Sequence, residues 1–401
     1  MSRIYHFHPE QTWGCVMCGK CCGRDWPVPA DPEERRRIAA LSLPDVKIPA
    51  GKWFRTGFIA KKNGKCIFST CDGKRCIIHE KYGLDVKALA CRLYPLDIHA
   101  WEDGSISASL RYDCPAVANG TENSLPTAIV GIDRMADEIA RYRRDPAPRY
   151  SPEIHPSLER LREIAQTYSA MLEYPGQNLN IRFLAASELL NFHRGKEASL
   201  DITEAEDFQE DALALTERSL KILSAMLETA PEAGFSAFVG FRYLLLSFLR
   251  NDNGMNAFKR FRRLKKHLDF TLGNADLEIP GGKIAPGMKV LPAEPDAFVP
   301  FMRWLKGRLA SLHFCGGAAF GITFEEGMRF LLLSLPAAAV TASALAETEK
   351  LTRKDVSAAL MLLDYSFLRT KLYRGRFLRK TAESLTSQEW YPILLKNFCP
   401  C

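Results

Sequence analysis

Apolar side chains recur every three to four residues over most of the chain beyond residue 126, the period of one helical face. Ile129, Ile132, Met135, Ile139 and Tyr142 make one such face, and Leu158, Leu161, Ile164, Tyr168 and Leu172 make another. Further helices are predicted over 181–192, 204–227, 235–249, 258–268, 298–312, 324–333, 356–368 and 392–398. Breakers separate them at Pro231, at 251–254, at Gly281 and Gly282, and at Pro336. The Gly- and Pro-rich stretch 277–300 reads as a long connection. Before residue 126 the pattern changes to short runs broken by turn signals. The polar stretch 119–126 marks the boundary.

Two hairpins are predicted in the first part. Residues 96–101 and 105–112 flank Glu102, Asp103 and Gly104, and Ile106, Ala108, Leu110 and Tyr112 alternate at strand period. Asp103-Gly104 suits a type I′ turn. Closing this hairpin brings Cys91 and Cys114 together at its open end. The second signal, Asp72-Gly73 between 66–71 and 74–78, folds Cys66, Cys71 and Cys76 into one small region.

Cysteine usage changes the picture most. The 401 residues contain 12 cysteines, and nine of them lie between Cys15 and Cys114. No apolar leader precedes them, so the expected compartment is the reducing cytoplasm, where structural disulfides are rare. Dense thiols there read first as a metal site and second as a redox device. Cys15, Cys18, Cys21 and Cys22 form the sharpest motif. Each C-x2-C step lets two thiolates grip one metal across a tight turn, and Gly19 and Gly23 allow the backbone of such a knuckle. Zinc and iron–sulfur clusters both take four cysteine ligands, so nine thiols suffice for one site with spares or for two sites. The candidate ligands are Cys15, Cys18, Cys21, Cys22, Cys66, Cys71, Cys76, Cys91 and Cys114. The spacing matches neither the ferredoxin run nor the radical C-x3-C-x2-C motif. His6, His8 and His79 are nearby imidazoles, and Cys399 and Cys401 are terminal thiols that could be free, reactive or folded back to a cluster.

The expected fold is therefore mainly α. A small irregular cysteine-rich α+β metal domain over 1–125 is followed by a multi-helix domain over 126–401.

This motif set resembles the CxxCxxCC cysteine-cluster family of zinc- or iron-chelating domains. The resemblance rests on Cys15, Cys18, Cys21 and Cys22, then Cys66-Ile67-Phe68, Cys76-Ile77-Ile78 and Cys91-Arg92-Leu93-Tyr94-Pro95. Within that family the chain looks most like the branch of flagellin lysine-N-methylases, through Lys81-Tyr82-Gly83 and through 109–116 around Cys114. It departs from that branch at Leu96, where Arg is usual. The resemblance implies a 4Fe-4S cluster or zinc. It also implies a protein-lysine N-methyltransferase using S-adenosylmethionine, with a flagellin-like protein as substrate. A non-enzymatic zinc-stapled adaptor and a thiol redox sensor are the other readings. No Gly-rich strand-to-helix turn for S-adenosylmethionine stands out, which counts against a Rossmann methyltransferase.

Charge adds little. Lys and Arg number 54 against 47 Asp and Glu, a net of +7, too mild to imply nucleic acid, so neither nucleic acid nor membrane is an expected partner. The apolar stretch 330–345 contains Pro336 and suits a buried core helix rather than a membrane span. The run Lys259, Arg260, Arg262, Arg263, Lys265 and Lys266, interleaved with Phe258, Phe261 and Leu264, reads as an amphipathic surface helix with a solvated basic side. An anionic partner is its alternative reading.

Overall fold

The structure, a computed structural model, describes residues 4–11, 14–16, 18–23, 26–62, 64–70, 72–120, 138, 144–195, 220–232, 234–249 and 257–400. Cys71, the boundary stretch beyond residue 120, most of the helix predicted over 129–142, and 204–219 lie outside these residues. The chain is mainly α, 52% helical, with only small sheets, and its N-terminal α+β region is followed by a helical one.

Most predicted helices form close to their predicted ends. Leu158–Leu172 begins at Ser157, whose hydroxyl accepts from the Arg160 amide, and it buries the predicted face of Leu158, Leu161, Ile164, Tyr168 and Leu172. Helices Leu179–Gly195, Phe235–Leu249, Ala257–Leu272, Val299–Ser311, Arg353–Ser366 and Tyr391–Phe398 follow. Arg376–Leu385 was read from sequence only as a basic run, yet it buries Leu378, Ala382 and Leu385.

Pro336 does not break its helix. Phe324–Leu345 starts from a capping box between Thr323 and Glu326 and runs through the proline as the central element of the core. Pro336 has no N–H for the Leu332 carbonyl. The Tyr391 hydroxyl donates to that oxygen instead, at 2.8 Å. Among the described residues this one helix is long and apolar enough to cross a membrane, and 83% of its apolar stretch is buried inside the protein. The connection expected over 277–300 also gains order. Leu277–Ile279 pairs antiparallel with Gly282–Ile284, with Gly281 at φ 93° in the turn.

In the N-terminal part, Leu96–Ala100 pairs antiparallel with Ile106–Leu110, and Tyr5–His6 adds in parallel on the other edge. The predicted hairpin forms, but its turn differs. Only Gly104 has positive φ, and its amide bonds to the Trp101 carbonyl, so the turn is type I closed by a left-handed glycine. The Asp103 carboxylate holds it by accepting from the Ser105 amide and hydroxyl at 2.8 and 2.6 Å. Ile106–Leu110 is buried on both faces because helix Val299–Ser311 packs against it. Ser109 meets this demand by hydrogen bonding to His313 Nδ1 at 2.8 Å.

Apolar packing forms two main groups. Val28, Ile38, Trp53, Ile59, Phe68 and Ile78 centre a small core under the cysteine segments. Trp101, Leu110, Tyr112, Cys114 and Val117 join the large helical core instead.

Candidate metal centre

Eight of the nine candidate ligands line one cavity of about 440 Å³: Cys15, Cys18, Cys21, Cys22, Cys66, Cys76, Cys91 and Cys114. Cys71 lies outside the described residues. Cys15 and Cys18 are exposed at the mouth, Cys114 is buried, and the others are half-buried.

Local folding explains each placement. Gly19 turns the first knuckle at φ 67°, and a one-turn helix, Lys20–Gly23, carries Cys21 and Cys22. A Cβ on Gly19 would sit 1.8 Å from the Gly73 carbonyl, so only glycine lets the knuckle seat against the Gly73 turn. Gly23 has no such constraint, since a Cβ there meets nothing. In that turn Gly73 bonds to the Thr70 carbonyl, and the Ile77 amide bonds to the Phe68 carbonyl, which draws Cys66 and Cys76 together. Cys91 rides on helix Leu89–Leu93. Buried Glu34, which also caps helix Pro32–Ala39, accepts from the Leu89 amide at 2.5 Å and fixes that helix end. Cys114 caps the turn Pro115–Ala118 just beyond the hairpin.

The thiols differ in acidity for physical reasons. Burial pushes Cys66 up to about 11 and Cys91 up to about 12, and raises Cys114. Cys21 is pulled down to about 6, first by the hydrogen bond from Cys22 and also by nearby Lys87; its partner Cys22 is pushed up. Cys22, Cys66, Cys91 and Cys114 thus keep their protons until a cation supplies the charge that burial withholds.

Sequence spacing did not reveal the rest of the wall. Among the described residues, Lys61, Lys74, Arg75, Lys87 and Arg92 line the cavity with one carboxylate, Glu80. Arg75 pairs with Glu80, and Arg92 with Glu138. A centre held by four thiolates carries net negative charge, which such a wall compensates. Trp26, Ile59, Phe68, Ile78 and Tyr94 supply the apolar remainder. His79 lines the cavity, whereas His6 and His8 do not. His6 sits on the strand beside Ser107, and burial lowers it to about 4. Cys315 and Cys399 are buried in the helical core, away from the cavity, and helix Tyr391–Phe398 anchors the tail.

Among the described residues no three His, Cys, Asp or Glu side chains lie close enough to hold one ion between them. A single tetrahedral zinc would draw four sulfurs to roughly 2.3 Å from the metal, hence to within about 4 Å of one another. The thiols instead surround a space. The donor set suits a thiophilic metal.

Residues 14–113 match the family model described as CxxCxxCC, "Putative zinc- or iron-chelating domain". The matched stretch contains all the candidate ligands except Cys114, which follows its last residue. No curated protein and no solved structure matches the chain.

A buried charge network ties this region to the helices. The Arg111 guanidinium lies 5.5 Å from the centroids of both the Trp26 and Tyr94 rings and bonds to Asp113 at 3.1 and 2.9 Å. Asp364, fully buried, accepts from the Tyr112 amide, Trp304 Nε1 and Arg308 at 2.7, 2.8 and 2.5 Å. Arg369 bridges to Asp97 at 2.8 Å. Burial would raise Asp97 and Asp364, but Arg369 and Arg308 hold both carboxyls below their usual range. Burial also lowers His313 to about 3, so it stays neutral.

Proposed function

We propose that the protein binds a metal in the cysteine-lined cavity, and that the centre is an iron–sulfur cluster rather than a single zinc ion. One observation carries this reading: eight thiols from separate stretches surround a space of about 440 Å³ while, among the described residues, no three donors gather around one point. A 4Fe-4S cubane needs four thiolates spread around a polynuclear core. Cys21, Cys22, Cys66, Cys76 and Cys91 are the proposed inner ligands, with Cys15, Cys18 and Cys114 at the mouth and floor. Cytoplasmic residence goes with this proposal, because the thiols must stay reduced.

Metal and acid-labile sulfide analysis of protein purified without oxygen tests the reading. Iron and sulfide in near-equal amounts, with a brown colour that Cys21→Ser or Cys22→Ser reduces, would support it. Stoichiometric zinc without sulfide would replace the cluster with the zinc-stapled adaptor. Methyl transfer from S-adenosylmethionine to a flagellin-like lysine is a separate proposal that rests on the sequence resemblance alone. A melting temperature unmoved by saturating S-adenosylmethionine would remove it.

A further inference from the structure

The basic helix Ala257–Leu272 does not use its apolar stripe to pack. Phe261, Leu264, Leu268 and Leu272 lie at helical spacing on one face and are 71%, 55%, 56% and 43% exposed. The helix docks instead through Phe270 and His267, both buried, on the face roughly opposite. The solvated basic side expected from sequence is present, with Arg262, Lys265 and Lys266 exposed, but the Phe261 and Leu264 stripe is in solvent as well. The outward stripe is bordered by exposed Arg262, Lys265 and Lys266. Leaving four large apolar side chains in water is unfavourable, by roughly 25 cal/mol for each Å² that a partner would otherwise cover.

We propose that this stripe lies on an anionic lipid surface, the helix resting in the plane of the headgroups. Two observations favour lipid over other occupants. The basic border is complementary to anionic headgroups, and the Phe and Leu side chains suit the acyl boundary, the pattern of an interfacial helix. Nucleic acid would be read by a basic surface without four apolar side chains along it. The proposal is independent of the metal reading and departs from the expectation of no membrane partner.

The test is sedimentation of the full chain with vesicles of phosphatidylcholine alone and of phosphatidylcholine containing phosphatidylglycerol. Binding is expected to the anionic vesicles only, to weaken as salt rises, and to fall by about tenfold or more in Leu264→Glu and Leu268→Glu. Both positions are exposed, so the variants should melt with the wild type. Phe261→Ser provides a second variant if either does not. Absence of binding to anionic vesicles overturns the proposal. So does a wild-type dimer in solution that Leu264→Glu converts to monomer, because a second copy would then cover the stripe.

Discussion

Replacing Asp364 with Asn should weaken the joint between the segment after the hairpin, which leads from Tyr112 to Cys114, and the helical body. The substitution keeps the shape and removes one charge. Asp364 Oδ1 takes two donors, Trp304 Nε1 and Arg308, and Oδ2 takes the Tyr112 amide. An Asn can turn its oxygen to only one side. With the oxygen toward Trp304 and Arg308, its NH2 faces the Tyr112 N–H across what is now a 2.7 Å bond. Two donors then oppose each other in a fully buried site. Arg308, 3% exposed, and Arg369 also lose a counter-charge. Breaking one partner of a buried ion pair costs about 3–5 kcal/mol. That is a large share of a stability on the order of 5–15 kcal/mol.

Urea unfolding of matched samples, with metal content measured on each, checks this. Acid sensitivity gives a second readout. The native carboxyls of Asp364 and Asp97 are held below the unfolded range, so the unfolded chain takes up protons first as pH falls. Their stabilisation is whole above about pH 4 and is lost as pH drops further toward the native values. Asp364→Asn should therefore show a shallower loss between pH 5 and pH 3 than the wild type. A loss under about 1 kcal/mol at neutral pH, or parallel acid profiles, would refute the assignment of the joint to this carboxylate.

Gly19→Ala should retain the helical circular dichroism but lose about half or more of its bound metal, because the new Cβ meets the Gly73 carbonyl and φ 67° strains it; full metal loading would refute the seating argument. Tyr391→Phe removes the donor that replaces the missing N–H of Pro336, and leaving the Leu332 carbonyl buried without it should cost about 1–3 kcal/mol in thermal or urea unfolding. A cost near zero would mean the proline helix needs no hydroxyl.

Helical period and cysteine spacing were legible because both are local. Leu158–Leu172 follows from its own apolar face and Ser157 cap, and Cys15 to Cys22 announce a thiol knuckle without help from the rest of the chain. The hairpin that unites Cys91 and Cys114 was legible too, though its turn type was not, since Asp103 and Ser105 settle that through side-chain bonds. What the fold alone decided involves partners far away in sequence. Pro336 reads as a breaker until Tyr391 is seen to supply the donor. The amphipathic pattern of Ala257–Leu272 shows that two faces differ but not which one docks, because docking depends on whether Phe270 and His267 or the Leu stripe finds a complementary surface. The lysines and arginines around the thiols likewise come from scattered segments with no spacing rule. A one-dimensional pattern records what a residue prefers; only the packed chain determines which neighbour satisfies it.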